Sequence, residues 1–201
     1  EAIIGIPITD SYDWIIHLAG YGNHSMQKDH LMMIRANITD LEHLLTATRQ
    51  INYQAFLNIS SSSVYGKTVL PMEEHSFLYP ESFYGVTKAA GELLVEQFVR
   101  ETGKPVVNIR PFSIYGPGEA DFRFIPTIIR NAVNNTVSEV FAGEHDWTYI
   151  DDFIQGLFVI LEGDFILMGS ACNIGSGRAY TNEEVVHKIS KHIKLEHTMV
   201  D

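Results

Sequence analysis

The chain has 201 residues, 45% of them hydrophobic, and a formal net charge of −11 from 25 acidic and 14 basic side chains. That length suits one domain, or one domain and part of another, with apolar residues enough for a real core. The acidic balance argues against nucleic acid and anionic membrane surfaces as partners, and no apolar run approaches the roughly 18 residues of a membrane span.

A lone cysteine, Cys172, leaves no internal disulfide framework and suits a reducing, cytoplasmic compartment. The chain opens on Glu1 in mid-pattern, which reads as a fragment or a partly described protein. Asp13 to Ala19, "DWIIHLA", is a short apolar strand pattern followed by Gly20. From Ala36 to Ile51, apolar residues at Ile38, Leu41, Leu44 and Leu45 recur at helical spacing. "QAFLNIS" is a buried strand that runs into a serine cluster, and a helix is expected from about Ser82 to Thr102, closed by Gly103. "PVVNIRPF" is a further strand, residues 123–133 a helix, and "SEVFA" and "WTYI" short strands. A helix over "DDFIQGLFVILE" takes Asp151 or Asp152 as its cap. "ACNIG" is a last strand, and Thr181 with Glu184 spells a capping box for a helix reaching Lys194.

Strands alternating with helices predict an α/β fold with a parallel sheet covered on both faces. Ligands in such sheets bind beyond the carboxyl ends of the strands. Those ends read "HLAGYG", "NISSSSVYG" and "IRPFSIYGPG", each small, polar or glycine-containing. Tyr84 and Lys88, four apart on the next helix, can converge on one ligand. A free phenol, with a pKa of about 10, is a poor base at neutral pH. A neighbouring ammonium favours the phenolate and lowers that value, so Tyr84 could take a proton from a hydroxyl. Nine histidines raise the question of a metal, but no His-Glu-x-x-His or similar spacing occurs, and no metal is expected. A hydrolase elbow of the Gly-x-Ser-x-Gly type is missing too.

At these residues the sequence resembles the extended short-chain dehydrogenase/reductases, in particular the NAD-dependent epimerase/dehydratase branch. The matching elements are "HLAG", Asn37, "SSSSVYG", "YGVTK", "RPFSIYGPG", "YIDD" and "NIGSG", in the family's order. The resemblance implies that Tyr84 is the catalytic acid/base, that Lys88 holds the nicotinamide ribose and lowers the tyrosine pKa, and that Ser61 is the catalytic hydroxyl. It implies cofactor contacts at Leu18, Ala19 and Gly20, at Ser60, and along Pro111, Phe112 and Ser113. Asn37 would steady the cofactor side or simply cap a helix. Substrate contacts fall to Ser62, Ser63, Ser113 and His145.

Three departures shape the expectation. The Gly-rich turn that cradles a dinucleotide pyrophosphate is not in the sequence and is expected upstream; "GSGRAY" reads as a turn. His145 stands where many members carry an arginine that clamps a nucleotide diphosphate, and imidazole cannot make the bidentate fork. Ser62 and Ser63 stand where 4,6-dehydratases follow their catalytic threonine with Asp and Glu. The fold implied is a Rossmann-like doubly wound sheet. Residues 1–118 would form a partial NAD(P)-binding core, and 119–201 would complete the sheet and contribute to a substrate lobe. The expected activity is a nucleotide-sugar epimerase using NAD, with NADP open, and the runner-up is a 4-keto-sugar reductase or dehydratase. A homodimer through helices such as 37–51 and 82–102 is expected.

Overall fold

The computed structural model describes residues 11–68, 71–163 and 169–200. In chain order its strands are β1 (Tyr12–His17), β2 (Tyr53–Ile59), β3 (Val106–Pro111), β4 (Ser113–Tyr115), β5 (Ser138–Phe141), β6 (Glu144–Tyr149), β7 (Ala171–Ile174), β8 (Ala179–Thr181) and β9 (His197–Val200). The helices are α1 (His30–Ile34), α2 (Asp40–Thr48), α3 (Phe83–Thr102), α4 (Phe124–Val133), α5 (Ile150–Glu162) and α6 (Asn182–Ser190). The chain divides into two compact units: one runs to Pro111 and takes in Phe158–Asn173, the other holds Phe112–Leu157 and the residues from Ile174 on.

The first unit is built on a sheet of order β1-β2-β3-β7, in which β1 pairs β2 and β2 pairs β3 in parallel. Leu41 and Leu45 of α2 and Val95 and Phe98 of α3 pack with Phe56 of β2 and Val106 of β3 in one buried cluster. Register is fixed by a polar rung inside this apolar layer. His17, Asn58 and Asn108 lie side by side on three strands. The His17 Nδ1 donates to Asn58 Oδ1 at 3.0 Å, and Asn58 Nδ2 donates to Asn108 Oδ1 at 2.8 Å. A one-residue slip would break both bonds and strand buried polar groups. Gly20, Ser61 and Pro111 each lie three positions beyond this rung, so the rung sets the three chain ends level.

Ser82 caps α3 by accepting from the Gly85 amide at 3.0 Å, and Gly103, the closing residue the sequence predicts, ends it at φ 66°. The preceding helical stretch differs from expectation. It begins at His30, not Ala36, because the Asp29 side chain accepts from the Leu31 and Met32 amides. Between α1 and α2 lies a π-helical turn, Arg35–Thr39, where the chain takes up one extra residue to aim Asn37 inward.

In the second unit β4 pairs β6 in parallel, β6 pairs β8 antiparallel, and β5 pairs β9. Ile128 of α4, Val140 of β5 and Val186 of α6 form its core. The Thr181–Glu184 capping box is present, although α6 stops at Ser190, short of Lys194. Asp151 and Asp152 lie in the first turn of α5 rather than capping it, since the helix starts at Ile150 straight from β6. There they favour the positive end of the helix dipole.

Candidate active site

The start of α3 is fitted closely against the end of β2. A Cβ at Gly85 would lie 2.5 Å from the Ser63 carbonyl oxygen, so glycine there lets the helix approach. Tyr84 and Lys88 share one face of this helix, Tyr84 half-buried and Lys88 7% exposed. The Lys88 ammonium donates to the Ile59 carbonyl at 2.6 Å. Burial pulls its pKa down to about 8, and the Glu92 carboxylate opposes that pull. The chain leaving β1 passes beside both residues. A Cβ at Gly20 would sit 3.7 Å from Lys88 Nζ, and one at Gly22, whose φ is +111°, would sit 3.0 Å from the Tyr84 ring. Phenol, ammonium and the exposed segment Leu18, Ala19 and Gly20 therefore meet in one place.

Ser61 stands at the end of β2, half-buried, its Oγ accepting from the Ser63 amide at 3.1 Å. That bond caps a single 3₁₀ turn, Ser62–Val64, which holds Ser62 and Ser63 half-buried. Ser60 points the other way. Its hydroxyl is buried and donates to Glu92 Oε1 at 2.5 Å, and its amide donates to Ile109 O at 2.7 Å, so neither donor is left for a ligand. Asn37 is no helix cap. It is buried in the π turn, accepts from the Tyr21 amide at 3.0 Å, and donates to Tyr21 O and Thr87 Oγ1 at 2.8 Å each. Both its amide hydrogens are used on protein, so it steadies the segment after Gly20. Thr87 in turn donates to the Tyr84 carbonyl at 2.8 Å.

Pro111 ends the first unit, whereas Phe112, Ser113 and His145 belong to the second. There the Phe112 amide donates to Ile174 O at 3.1 Å, and Ser113 pairs with Trp147 across β4 and β6. The His145 ring stands edge-on to Trp147 at 5.2 Å. Burial, and then the Arg123 charge, push its pKa down, so His145 is a neutral imidazole at pH 7 and supplies no fixed cation. The "GSGRAY" segment is a turn, with the Ser176 and Gly177 amides donating to Asp146 at 2.7 and 2.8 Å.

Sequence reasoning missed Glu92, Arg110, Gly22 and Thr87. Glu92 had a signal, because it lies four residues past Lys88 as Lys88 lies four past Tyr84. Among the described residues, no group of three or more His, Cys, Asp or Glu side chains could hold a metal ion, and no helix is long and apolar enough to cross a membrane.

Residues 3–175 match the NAD dependent epimerase/dehydratase family. The chain belongs to that family. It is 33% identical over 187 residues to the uncharacterized UDP-glucose epimerase YtcB of Bacillus subtilis, covering 90% of this chain and 59% of the relative. It is 28% identical to the dTDP-D-glucose 4,6-dehydratase of Dictyostelium discoideum, covering 90% of this chain and 45% of that protein. The crystal structure of UDP-glucuronic acid 4-epimerase from Bacillus cereus, in complex with UDP-glucuronic acid and NAD, superposes with a TM-score of 0.83 at 29% identity. That match takes in 94% of this chain and 62% of the other. The chain thus spans about half to three-fifths of the length of its relatives. The described residues leave room for NAD here, since a Cβ at Gly20 would fill the space beside the Lys88 ammonium.

Proposed function

We propose that the whole protein is an NAD-dependent nucleotide-sugar epimerase that works at the sugar C4. The observation that carries this reading is the Tyr84–Lys88 pair on one face of α3, with Lys88 anchored on Ile59 O beside the serine run. In this reading Tyr84 Oη accepts the proton of the C4 hydroxyl and later returns it, the ammonium of Lys88 favouring its phenolate form. Ser61 Oγ hydrogen-bonds the same sugar oxygen, holding it as it changes between hydroxyl and ketone. Lys88 and the Gly20 segment, with the Ser60 carbonyl beside them, would hold NAD, which when bound supplies the hydride acceptor and donor. NAD is favoured over NADP because the solved relatives hold NAD. Ser62 and Ser63 bring hydroxyls, not carboxylates, to the turn beside Ser61, which favours epimerisation over dehydration.

The second reading, a nucleotide 4-keto-sugar reductase, uses the same three residues and is favoured only by this shared geometry. The two part in one experiment: the full-length protein is incubated with NAD and a panel of UDP-, GDP-, CDP- and dTDP-sugars, and the sugar protons are followed by NMR. An inverted C4 signal without net NADH supports the epimerase. NADPH consumption only when a keto-sugar is supplied replaces it with the reductase.

The reading includes a homodimer. Leu31 of α1 and Val86 and Leu93 of α3 are exposed apolar residues, and the Phe83 ring is stacked on His30 at 3.8 Å. Self-association would cover such a face.

A further inference from the structure

Glu92 is fully buried on the same face of α3 as Tyr84 and Lys88, at successive four-residue steps. A buried carboxylate is costly unless paired, and this one is saturated. Arg110 Nη2 donates to its Oε2 at 2.6 Å and Nε to both oxygens at 3.0 and 3.2 Å, while Ser60 Oγ donates to Oε1 at 2.5 Å. The guanidinium continues outward, Nη1 donating to Tyr65 Oη at 2.7 Å and to the Glu74 carbonyl at 3.0 Å. Tyr65 then donates to Asn173 Oδ1 at 2.7 Å. One carboxylate thereby ties α3 to the ends of β2 and β3, and through Arg110 to the 3₁₀ turn and the 71–79 loop.

We propose that Glu92 is a positioning residue for the Tyr84–Lys88 pair: held by Arg110, it keeps a fixed negative charge one helical turn below the Lys88 ammonium and anchors Ser60 next to Ser61. The proposal rests on reading Tyr84 and Lys88 as the acid/base pair. Lys88 donates to Ile59 O and is 7% exposed, so burial weakens its hold on the proton and the carboxylate a turn away works against that loss. Without that charge the ammonium gives up its proton at lower pH and Tyr84 loses the cation that favours its phenolate. Arg110, engaged on three sides, pairs the carboxylate through Nε and Nη2 in the dry interior.

The test uses the full-length protein labelled with ¹⁵N at lysine Nζ, the Lys88 signal being identified by its loss in Lys88→Met. Glu92→Gln leaves Arg110 buried without its partner and is at risk of misfolding, so the paired variant Glu92→Gln/Arg110→Met is made beside it. In either folded variant the Lys88 titration midpoint should fall, with a loss of about tenfold in proton affinity. The alkaline limb of turnover should move down in pH by the same amount. Glu92→Asp, which keeps the charge, should hold the midpoint near the parent value. A Lys88 midpoint unmoved in the folded paired variant overturns the proposal. A moved midpoint in a protein that turns over none of the sugars tested upholds the placement of Glu92 and removes the epimerase reading instead.

Discussion

Lys88 is a charged side chain held in the interior, and its linkage to pH follows from that. Its pKa is about 8 in the folded chain against 10.5 when unfolded. Between those values the unfolded chain binds a proton that the folded chain lacks, so this group's contribution to stability rises as pH climbs through that window. Below pH 8 both states are charged and the burial cost is felt in full. Lys88→Met should therefore raise stability at pH 7 by about 2 kcal/mol, once the lost bond to Ile59 O is set against the relieved burial. Denaturant melts at pH 7 and pH 10 check this, since the difference between parent and variant should shrink at the higher pH. A variant no more stable than the parent at pH 7 would contradict it. The companion change, Tyr84→Phe, should keep the fold and lower turnover by about 10²–10⁴-fold in the full-length protein. The pair was legible in the sequence because its spacing declares a shared helix face. The same spacing marked Glu92 only as a neighbour of Lys88 on that face, and Arg110 sits at a strand end where a charge would default to solvent, so only the tertiary fold shows the two paired inside.

Among the elements, the Gly103 close and the Thr181–Glu184 box were readable because each acts within a few residues of itself, whereas the cap expected at Asp151 or Asp152 failed because α5 starts straight from β6. The π turn at Arg35–Thr39 was hidden, because its reason is distant: Asn37 must reach Tyr21 and Thr87, sixteen and fifty residues away. Asn37→Ala should cost about 3 kcal/mol, since the Tyr21 amide and carbonyl lose buried partners, and thermal melting measures it. Gly85→Ala should cost about 2 kcal/mol from the clash with Ser63 O and lower turnover with it, as the helix bearing Tyr84 is pushed off β2. The His17 rung carries an acid dependence. Burial lowers the His17 pKa below 6.5, Asn58 and Asp40 raising it and Lys88 lowering it further. Its contribution to stability is complete above pH 6.5 and is lost as pH falls below that, when the unfolded chain takes the proton first. His17→Gln should flatten the decline in melting temperature between pH 6.5 and pH 5 relative to the parent.

At the scale of the molecule, the proposed dimer can be broken without touching the site. Leu93 is 57% exposed on α3, away from the buried Lys88–Glu92 face, so Leu93→Asp should leave the fold intact and yield monomer by light scattering. A parent protein that is already monomeric would remove the dimer. The division into a parallel-sheet unit and a second unit of short strands was only partly legible. Alternating strands and helices signal the first, whereas β4, β8 and β9 are three or four residues long and carry too little pattern to read.

The rung across β1, β2 and β3 also bears on how fast the chain can assemble. Its members lie 41 and 50 residues apart, so neither bond can form until a helical connection has folded back and closed a long loop. Helices α2 and α3 can form locally within microseconds, but pairing at such separations belongs to the millisecond-to-second range. The helices therefore wait on the sheet, and during that wait Phe56 and Leu57 of β2 are open to other chains. Crowded, freshly made protein would meet its greatest hazard there, which makes strand alignment the step at which a chaperone would change the yield.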